Sequence, residues 1–271
     1  MRPAVPFPDL DAAWLAALRA SYGEALLRHR AAAAVATPDR AMFAWDAVAN
    51  DGRQLLALDH GAGAPADALR RSLVDAARAH FEVVTRRGAS GALPPGGDFA
   101  TGHSRSTYLA ICMALAGGDA ALARSLAPFV WDPPGASYVG PGSVLCTPEQ
   151  QTLADALKHS LLGDDRAAGL ALGRVTRISG EGIGELLMLR GLVEDDARRF
   201  LDGLARQLDA QARLAAEAGP RRLPDGLLCL PALGLAALAL RRGCVSVEQL
   251  PAGNACFPRD VIAPPPESPN A

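Results

Sequence analysis

Hydrophobic residues recur at steps of three and four along most of the chain, a spacing that predicts amphipathic α-helices. In residues 194–217 the apolar positions fall on one helical face, which is formed by Leu201, Leu204, Leu208, Ala212 and Ala215. We expect the acidic run Glu194–Asp196 in the first turn of this helix, where negative charge complements the helix dipole. Gly219 and Pro220 then predict its end.

The segment Leu227–Leu240 differs because it is apolar on every side. Water cannot cover such a helix without cost, so we expect it to be the central buried helix, covered by amphipathic neighbours. Pro231 suits its first turn, and Gly243 marks its end.

The remaining helices are predicted from their periodicity and their capping residues. They begin after Asp9 or Asp11, after Thr37, near Ala66, at Ser104, after Asp119 and after Thr147. The fold class expected is therefore all-α, with about ten helices in a bundle of antiparallel helical hairpins around the buried C-terminal helix. We divide the chain into an N-terminal helical part (1–103), a C-terminal helical part (104–260) and a Pro-rich tail (261–271), with the two parts packed as one compact domain.

Two stretches rich in glycine and proline, residues 88–103 and 131–148, are predicted to be loops. Binding residues concentrate on loops that a rigid scaffold positions. The candidate partner-binding residues in or beside these loops are Phe99, His103, Arg105, Trp131 and Tyr138.

The sequence contains one short internal repeat, in which LAGGDAAL (115–122) is similar to LLGDDRAA (161–168). It places Asp119 and Asp165 at equivalent positions, where a returning helix begins. Two such copies indicate stacked helical hairpins, as in solenoid proteins.

The amino-acid composition argues against several classes of function. The chain has 271 residues, 49% of them hydrophobic, and a net charge of −2, so the basic surplus typical of a nucleic-acid-binding protein is absent. The five cysteines include no CxxC pair, which favours a reducing compartment, and Cys112 and Cys229 are expected to be small buried hydrophobic residues. The N-terminus does not resemble a secretory signal, and the longest apolar run is shorter than a membrane span. We therefore expect a soluble, cytoplasmic protein without a membrane partner.

The motifs of common active sites are missing from the sequence. It contains no HExxH, no GxSxG and no His/Cys/Asp set with metal-ligand spacing. The GxGxG at residues 180–184 lacks the preceding strand that a dinucleotide site requires. No catalytic, cofactor-binding or metal-ligating residue is predicted.

The C-terminal part carries a family resemblance. The helix RFLDGLARQLDAQ (199–211), the buried Leu/Ala helix that ends in RRG (241–243) and the Val-x-Val run (245–247) before Leu250 and Pro251 resemble the C-terminal half of immunity protein family 49 of bacterial polymorphic toxin systems. The match extends upstream through TYLAICMALAGGDAALARSLAP (107–128) and LADALKHSLLGDDRAAGLAL (153–172). The resemblance covers about residues 105–260. It implies an immunity protein that binds a cognate toxin domain and blocks it by occlusion, without a cofactor or catalysis of its own.

A toxin with a basic active-site cleft would favour an acidic contact surface, for which the candidates are Asp119, Asp164 and Asp165. Two other functions stay open. A helical-repeat adaptor would show a concave groove and no toxic gene beside its own. An all-α enzyme would show a deep pocket with converging polar residues.

Overall fold

The computed structural model describes residues 7, 10–89, 103–130, 138–140, 143–175, 182–217 and 224–262. These residues contain eleven α-helices, which confirms the all-α prediction. In chain order they are α1 (Ala12–Val35), α2 (Pro38–Gly61), α3 (Ala66–Ala89), α4 (Ser104–Ala116), α5 (Ala120–Leu126), α6 (Pro148–Leu161), α7 (Asp165–Gly173), α8 (Ile183–Glu194), α9 (Ala197–Glu217), α10 (Leu230–Arg242) and α11 (Arg259–Ile262).

Several helices begin where their capping residues predict. The Asp11 side chain accepts the backbone N–H of Trp14 at 3.0 Å and caps α1. Thr147 and Gln150 form a reciprocal capping box at the start of α6. Such caps satisfy donors that the first helical turn leaves unpaired, so a local sequence motif is enough to fix these boundaries.

The first three helices pack side by side, α1 on α2 and α2 on α3. Two polar contacts show that α1 and α2 are antiparallel. Arg19 contacts Asp59 at 2.7 Å, and Nδ1 of His29 lies 2.6 Å from the Asp51 carboxylate. Since α3 also packs against α4, the N-terminal helices are continuous with the C-terminal ones.

Helix α10 is the buried C-terminal helix that the apolar run predicts. All its residues from Leu230 to Ala239 are buried, and α4 is its most extensive neighbour. The two helices touch at their backbones, because a Cβ on Gly234 would lie only 2.3 Å from the Cα of Cys112. The stretch Pro224–Arg242 has mean hydropathy 1.3 and is long enough to cross a membrane, but 78% of its most apolar window is buried inside the protein, an arrangement consistent with a soluble protein.

The C-terminal part contains three helical hairpins, α4–α5, α6–α7 and α8–α9, that share one turn geometry. Each first helix ends at a left-handed residue, namely Gly118, Gly163 or Asp195. The next residue caps the returning helix with its carboxylate, which accepts a backbone N–H three residues on; these caps are Asp119, Asp164 and Asp196. The predicted equivalence of Asp119 with Asp165 is therefore wrong by one residue.

The turn between α8 and α9 differs from the prediction for residues 194–196. Glu194 ends α8, so the run Glu194–Asp196 does not form the first turn of α9 as predicted. Asp195 adopts φ 52° and separates the two helices. An aspartate tolerates this left-handed conformation better than most residues do, and the absence of a glycine concealed the turn.

The predicted loop 131–148 contains a short β-hairpin in its described part. Strand β1 (Tyr138–Gly140) pairs antiparallel with β2 (Ser143–Cys146), and Val139 lies opposite Val144. β-Branched residues favour such pairing, but a strand of three residues is too short to stand out in a Gly/Pro-rich stretch.

Candidate functional site

The ion pair with the lowest exposure among the described residues joins α4 and α8. Nη1 and Nη2 of Arg105 donate to the two carboxylate oxygens of Glu185 at 2.6 and 2.8 Å. The Arg105 side chain is 18% exposed and that of Glu185 only 4%. Burial alone would lower the pKa of Arg105, but the carboxylate outweighs it and the net pKa is raised, so the guanidinium stays charged.

Two neutral polar residues accompany this pair. The Arg105 guanidinium lies 5.0 Å from the ring centroid of Tyr108, in a cation–π arrangement. Burial, followed by the negative charge of Glu185, raises the pKa of Tyr108 well above its ordinary value. Within the described part of the chain, no partner in hydrogen-bonding geometry satisfies the Tyr108 hydroxyl or Oε1 of the buried Gln207. We call Arg105, Tyr108, Glu185 and Gln207 the buried polar cluster.

Two cysteine thiols lie near this cluster. Burial, followed by the Glu185 charge, raises the pKa of Cys112, and burial raises the pKa of Cys229 to about 12. Both thiols stay protonated at neutral pH, so neither has the properties of a nucleophile. The prediction that both residues are buried is confirmed.

The buried polar cluster joins helices that are distant in sequence. A bidentate ion pair at low exposure holds α4 and α8 in one relative position, because shifting either helix would leave a buried charge unpaired. Sequence reasoning missed Glu185, whose only indication is a lone carboxylate in the apolar run IGELLMLRGL (183–192).

Two predicted partner contacts lie inside the protein. Arg105 belongs to α4, and its guanidinium is engaged by Glu185. His103 caps α4: it is buried, and its Nδ1 accepts the backbone N–H of Ser106 at 3.2 Å. These side chains position α4 and do not form an exposed surface in this conformation.

The three aromatic candidates belong to the two predicted loops. Phe99 and Trp131 lie outside the described residues, and Tyr138 begins β1 but is described only in its backbone. Their role as partner contacts stays a prediction.

The three acidic candidates all lie at helix starts. Asp119 caps α5 and also lies 3.3 Å from Arg78 of α3. Asp165 contacts Arg242 at 3.1 Å and accepts the Ser160 hydroxyl at 3.0 Å. Asp164 caps α7 and is exposed. Two of the three carboxylates are thus neutralised by arginines, so the structure does not bring them together as one acidic patch.

The exposed Asp164 lies between two exposed leucines of the same hairpin. Leu162, at the end of α6, is 53% exposed, and Leu170, on α7, is 67% exposed. Arg166 is exposed on the same short helix. We call Leu162, Asp164, Arg166 and Leu170 the α6–α7 corner; it combines aliphatic, acidic and basic groups in one turn and one short helix.

The C-terminus of α10 lies between two of the hairpin turns. Arg242 contacts Asp165 at the α6–α7 turn. Burial, and then the charges of Asp195 and Asp196 at the α8–α9 turn, raise the pKa of Cys244. The central helix therefore supports the turn that carries the α6–α7 corner.

A groove of about 590 Å³, distinct from the buried polar cluster, lies between the α2–α3 turn and residues 252–261. Side chains of α2 and α3 hold the C-terminal segment there. His60 Nε2 donates to the carbonyl oxygen of Ala255 at 2.6 Å, and Arg70 donates to those of Val261, at 2.7 Å, and Asp260. Burial lowers the pKa of His60. The lining combines small apolar side chains with the polar residues His60, Asn254, Arg259 and Asp260, of which His60 is bound to the Ala255 carbonyl.

No group of three or more His, Cys, Asp or Glu side chains suited to a metal ion occurs among the described residues. No family model, no curated protein and no solved structure matches this chain. The comparisons therefore assign neither a family nor an activity.

Proposed function

We propose that the protein is a bacterial immunity protein, which binds a cognate toxin domain and neutralises it by occlusion. The proposal begins from the resemblance of residues 105–260 to immunity protein family 49. Under this proposal the protein is cytoplasmic and its partner is a protein. It neither binds nucleic acid or membrane nor catalyses a reaction.

The observation that carries the proposal is the α6–α7 corner. Among the described residues of the C-terminal part, its two leucines are the only large exposed apolar side chains that share one hairpin. Exposed apolar side chains that lie together mark interaction surfaces, arginine is enriched in protein interfaces, and a carboxylate fits their polar rim. The turn is also held in place, since the Asp164 cap orders the start of α7 and the Asp165–Arg242 pair joins it to α10.

Occlusion requires a stable interface of about 800 Å² on each partner. The corner alone is smaller than this, so the interface extends along the hairpin array to the neighbouring turns. A rigid array suits this role, because little conformational entropy is lost when it binds.

The test is co-expression with the product of the adjacent reading frame. We expect that product alone to stop bacterial growth, and this protein to restore growth and co-purify with it. The variant Leu170→Asp should lose both effects while keeping the wild-type melting temperature, since Leu170 is exposed.

Leu214→Asp is the matched control, because Leu214 is an exposed leucine on the outer face of α9, 42% accessible and away from the corner. Protection should survive this change. If the adjacent product is harmless, or if Leu170→Asp protects as well as the wild type, the proposed function or its surface is wrong.

A helical-repeat adaptor is the second candidate, and the shared geometry of the three hairpin turns favours it. An adaptor would also bind protein through the hairpin array. The co-expression test distinguishes the two functions, because an adaptor would bind its partner without restoring bacterial growth.

A further inference from the structure

The outward face of α1 is unusual for a helix in contact with water. This helix packs against α2 through Leu15, Leu26 and Ala33, and eight of its fifteen exposed residues are alanine. Its two large exposed apolar side chains are Leu27, at 69%, and Val35, at 83%. A solvated helix face normally carries charged and polar residues, so this face has the composition of a contact surface.

The exposed residues on this face follow alternating steps of four and three, which is the spacing of a helix–helix seam. The seam consists of Ala13, Ala17, Ala20, Glu24, Leu27, Ala31 and Ala34, and all seven are exposed. Small side chains at such positions allow two helix backbones to approach closely.

The charges of α1 divide into two groups. Arg19 and Arg30 lie toward the neighbouring helices, where they contact Asp59 at 2.7 Å and Asp75 at 4.0 Å. Glu24 and Arg28 remain on the outward side, highly exposed and 3.7 Å apart. One acidic and one basic residue, one turn apart, form a self-complementary pair, since a two-fold axis places each beside its opposite in a second copy.

We propose that the seam on α1 binds the same seam of a second copy, antiparallel and about a two-fold axis that passes between Glu24 and Leu27. This register places Ala20 opposite Ala31, Ala17 opposite Ala34 and Glu24 opposite Leu27. Arg28 is adjacent to Leu27, so Glu24 of each copy lies beside Arg28 of the other, and the two Leu27 side chains flank the axis.

The size of the contact between the two α1 helices limits the affinity that we expect. In this register residues 16–35 of the two helices overlap, a length of ~30 Å at a width of ~10 Å, so the contact covers on the order of 300 Å² on each copy. A stable interface needs about 800 Å² on each partner. The contact is well below that size, so we expect a weak dimer that forms only as the protein concentration rises.

Sedimentation velocity over a concentration series tests the proposal. The full chain should change from monomer to dimer between roughly 1 and 200 µM. Leu27→Asp should remain monomeric throughout. Leu170→Asp is a matched control with an equally exposed leucine, 67% against 69%, and should dimerise like the wild type.

A charge exchange distinguishes contact between copies from effects within one helix. Glu24→Arg and Arg28→Glu each place like charges across the axis, and each should weaken its own dimer about tenfold or more. Mixing the two variants should restore the wild-type affinity, because opposite charges then meet between chains. The repulsion within each helix persists in the mixture, so recovery cannot come from helix stability.

A wild-type chain that stays monomeric at ~200 µM, or a mixture that gains no dimer over its components, overturns the proposal. So does dimerisation of Leu27→Asp. This inference does not depend on the proposed function: Leu27→Asp should still protect against the toxin, whereas Leu170→Asp should dimerise without protecting.

Discussion

Gly234 of α10 and Cys112 of α4 lie in direct backbone contact where the two central helices cross. A Cβ at position 234 would lie 2.3 Å from the Cα and 2.4 Å from the Cβ of Cys112. No rotation of a side chain can relieve this overlap, because the neighbouring atoms belong to the backbone and to its first carbon.

Gly234→Ala should therefore separate α4 from α10. We expect the free energy of unfolding to fall by about 3 kcal/mol, despite the better helix propensity of alanine. Urea unfolding followed by circular dichroism measures the change.

Gly169→Ala is the matched control for that change, since Gly169 lies in the middle of α7 and a Cβ there would meet Val193 at an ordinary 3.7 Å. This variant should be as stable as the wild type or more stable, by up to about 1 kcal/mol. Equal stability of the two variants would contradict the close contact at position 234.

Breaking the Arg105–Glu185 pair should be costly. Arg105→Met leaves the Glu185 carboxylate buried without its partner, and we expect a loss of about 3 kcal/mol in the free energy of unfolding. The double variant Arg105→Met/Glu185→Leu should recover much of this loss, because no charge is then buried alone.

The exposed pair Arg19–Asp59 is a suitable comparison, as the Arg19 side chain is 42% exposed. Its removal should cost less than about 1 kcal/mol. A double-mutant cycle that finds no coupling between positions 105 and 185 would show that the ion pair does not hold α4 to α8.

His60 should make stability depend on pH. Burial lowers the pKa of His60 in the folded protein below its ordinary value of 6.5. The unfolded chain therefore takes up the proton at a higher pH than the folded protein does. The stabilisation is complete above pH ~6.5 and decreases as the pH falls.

Urea unfolding between pH 8 and pH 5 measures this dependence, in which one histidine contributes at most about 1.4 kcal/mol per pH unit. His60→Asn keeps a donor for the Ala255 carbonyl but cannot titrate, so its decrease in stability toward low pH should be shallower. A variant with the same pH profile as the wild type would exclude His60 as the titrating group.

Two opposite substitutions test the left-handed position of the hairpin turns. Asp195→Gly removes the steric cost of a left-handed conformation at φ 52° and should stabilise the protein by up to about 1 kcal/mol. Gly163→Asp makes the reverse change at φ 81° and should destabilise it. Melting temperatures of the two variants that shift in the same direction would contradict the shared turn geometry.

Local chemistry explains why much of the fold could be predicted. Asp11 and Thr147 fix helix starts through hydrogen bonds three residues away, and Leu230 to Ala239 is apolar on all sides regardless of its neighbours. The left-handed Asp195 was missed because its conformation depends on the helices that it joins. Its own side chain does not dictate that conformation.

The candidate site was less predictable, since its contacts join distant parts of the chain. Nothing near Arg105 in sequence indicates that Glu185, 80 residues later, neutralises it. Arg78 and Arg242 likewise neutralise Asp119 and Asp165 from other helices. The charge of an exposed turn therefore cannot be read from the turn alone.

The position of α10 in the chain has a consequence for synthesis. Cys112 and the glycine that it touches are separated by more than one hundred residues, so α4 leaves the ribosome long before its main neighbour exists. Until α10 emerges, the face of α4 that packs against it has nothing to cover it and is open to chaperones or to aggregation. Translation that stops before residue 230 should thus yield a chain that cannot complete its core.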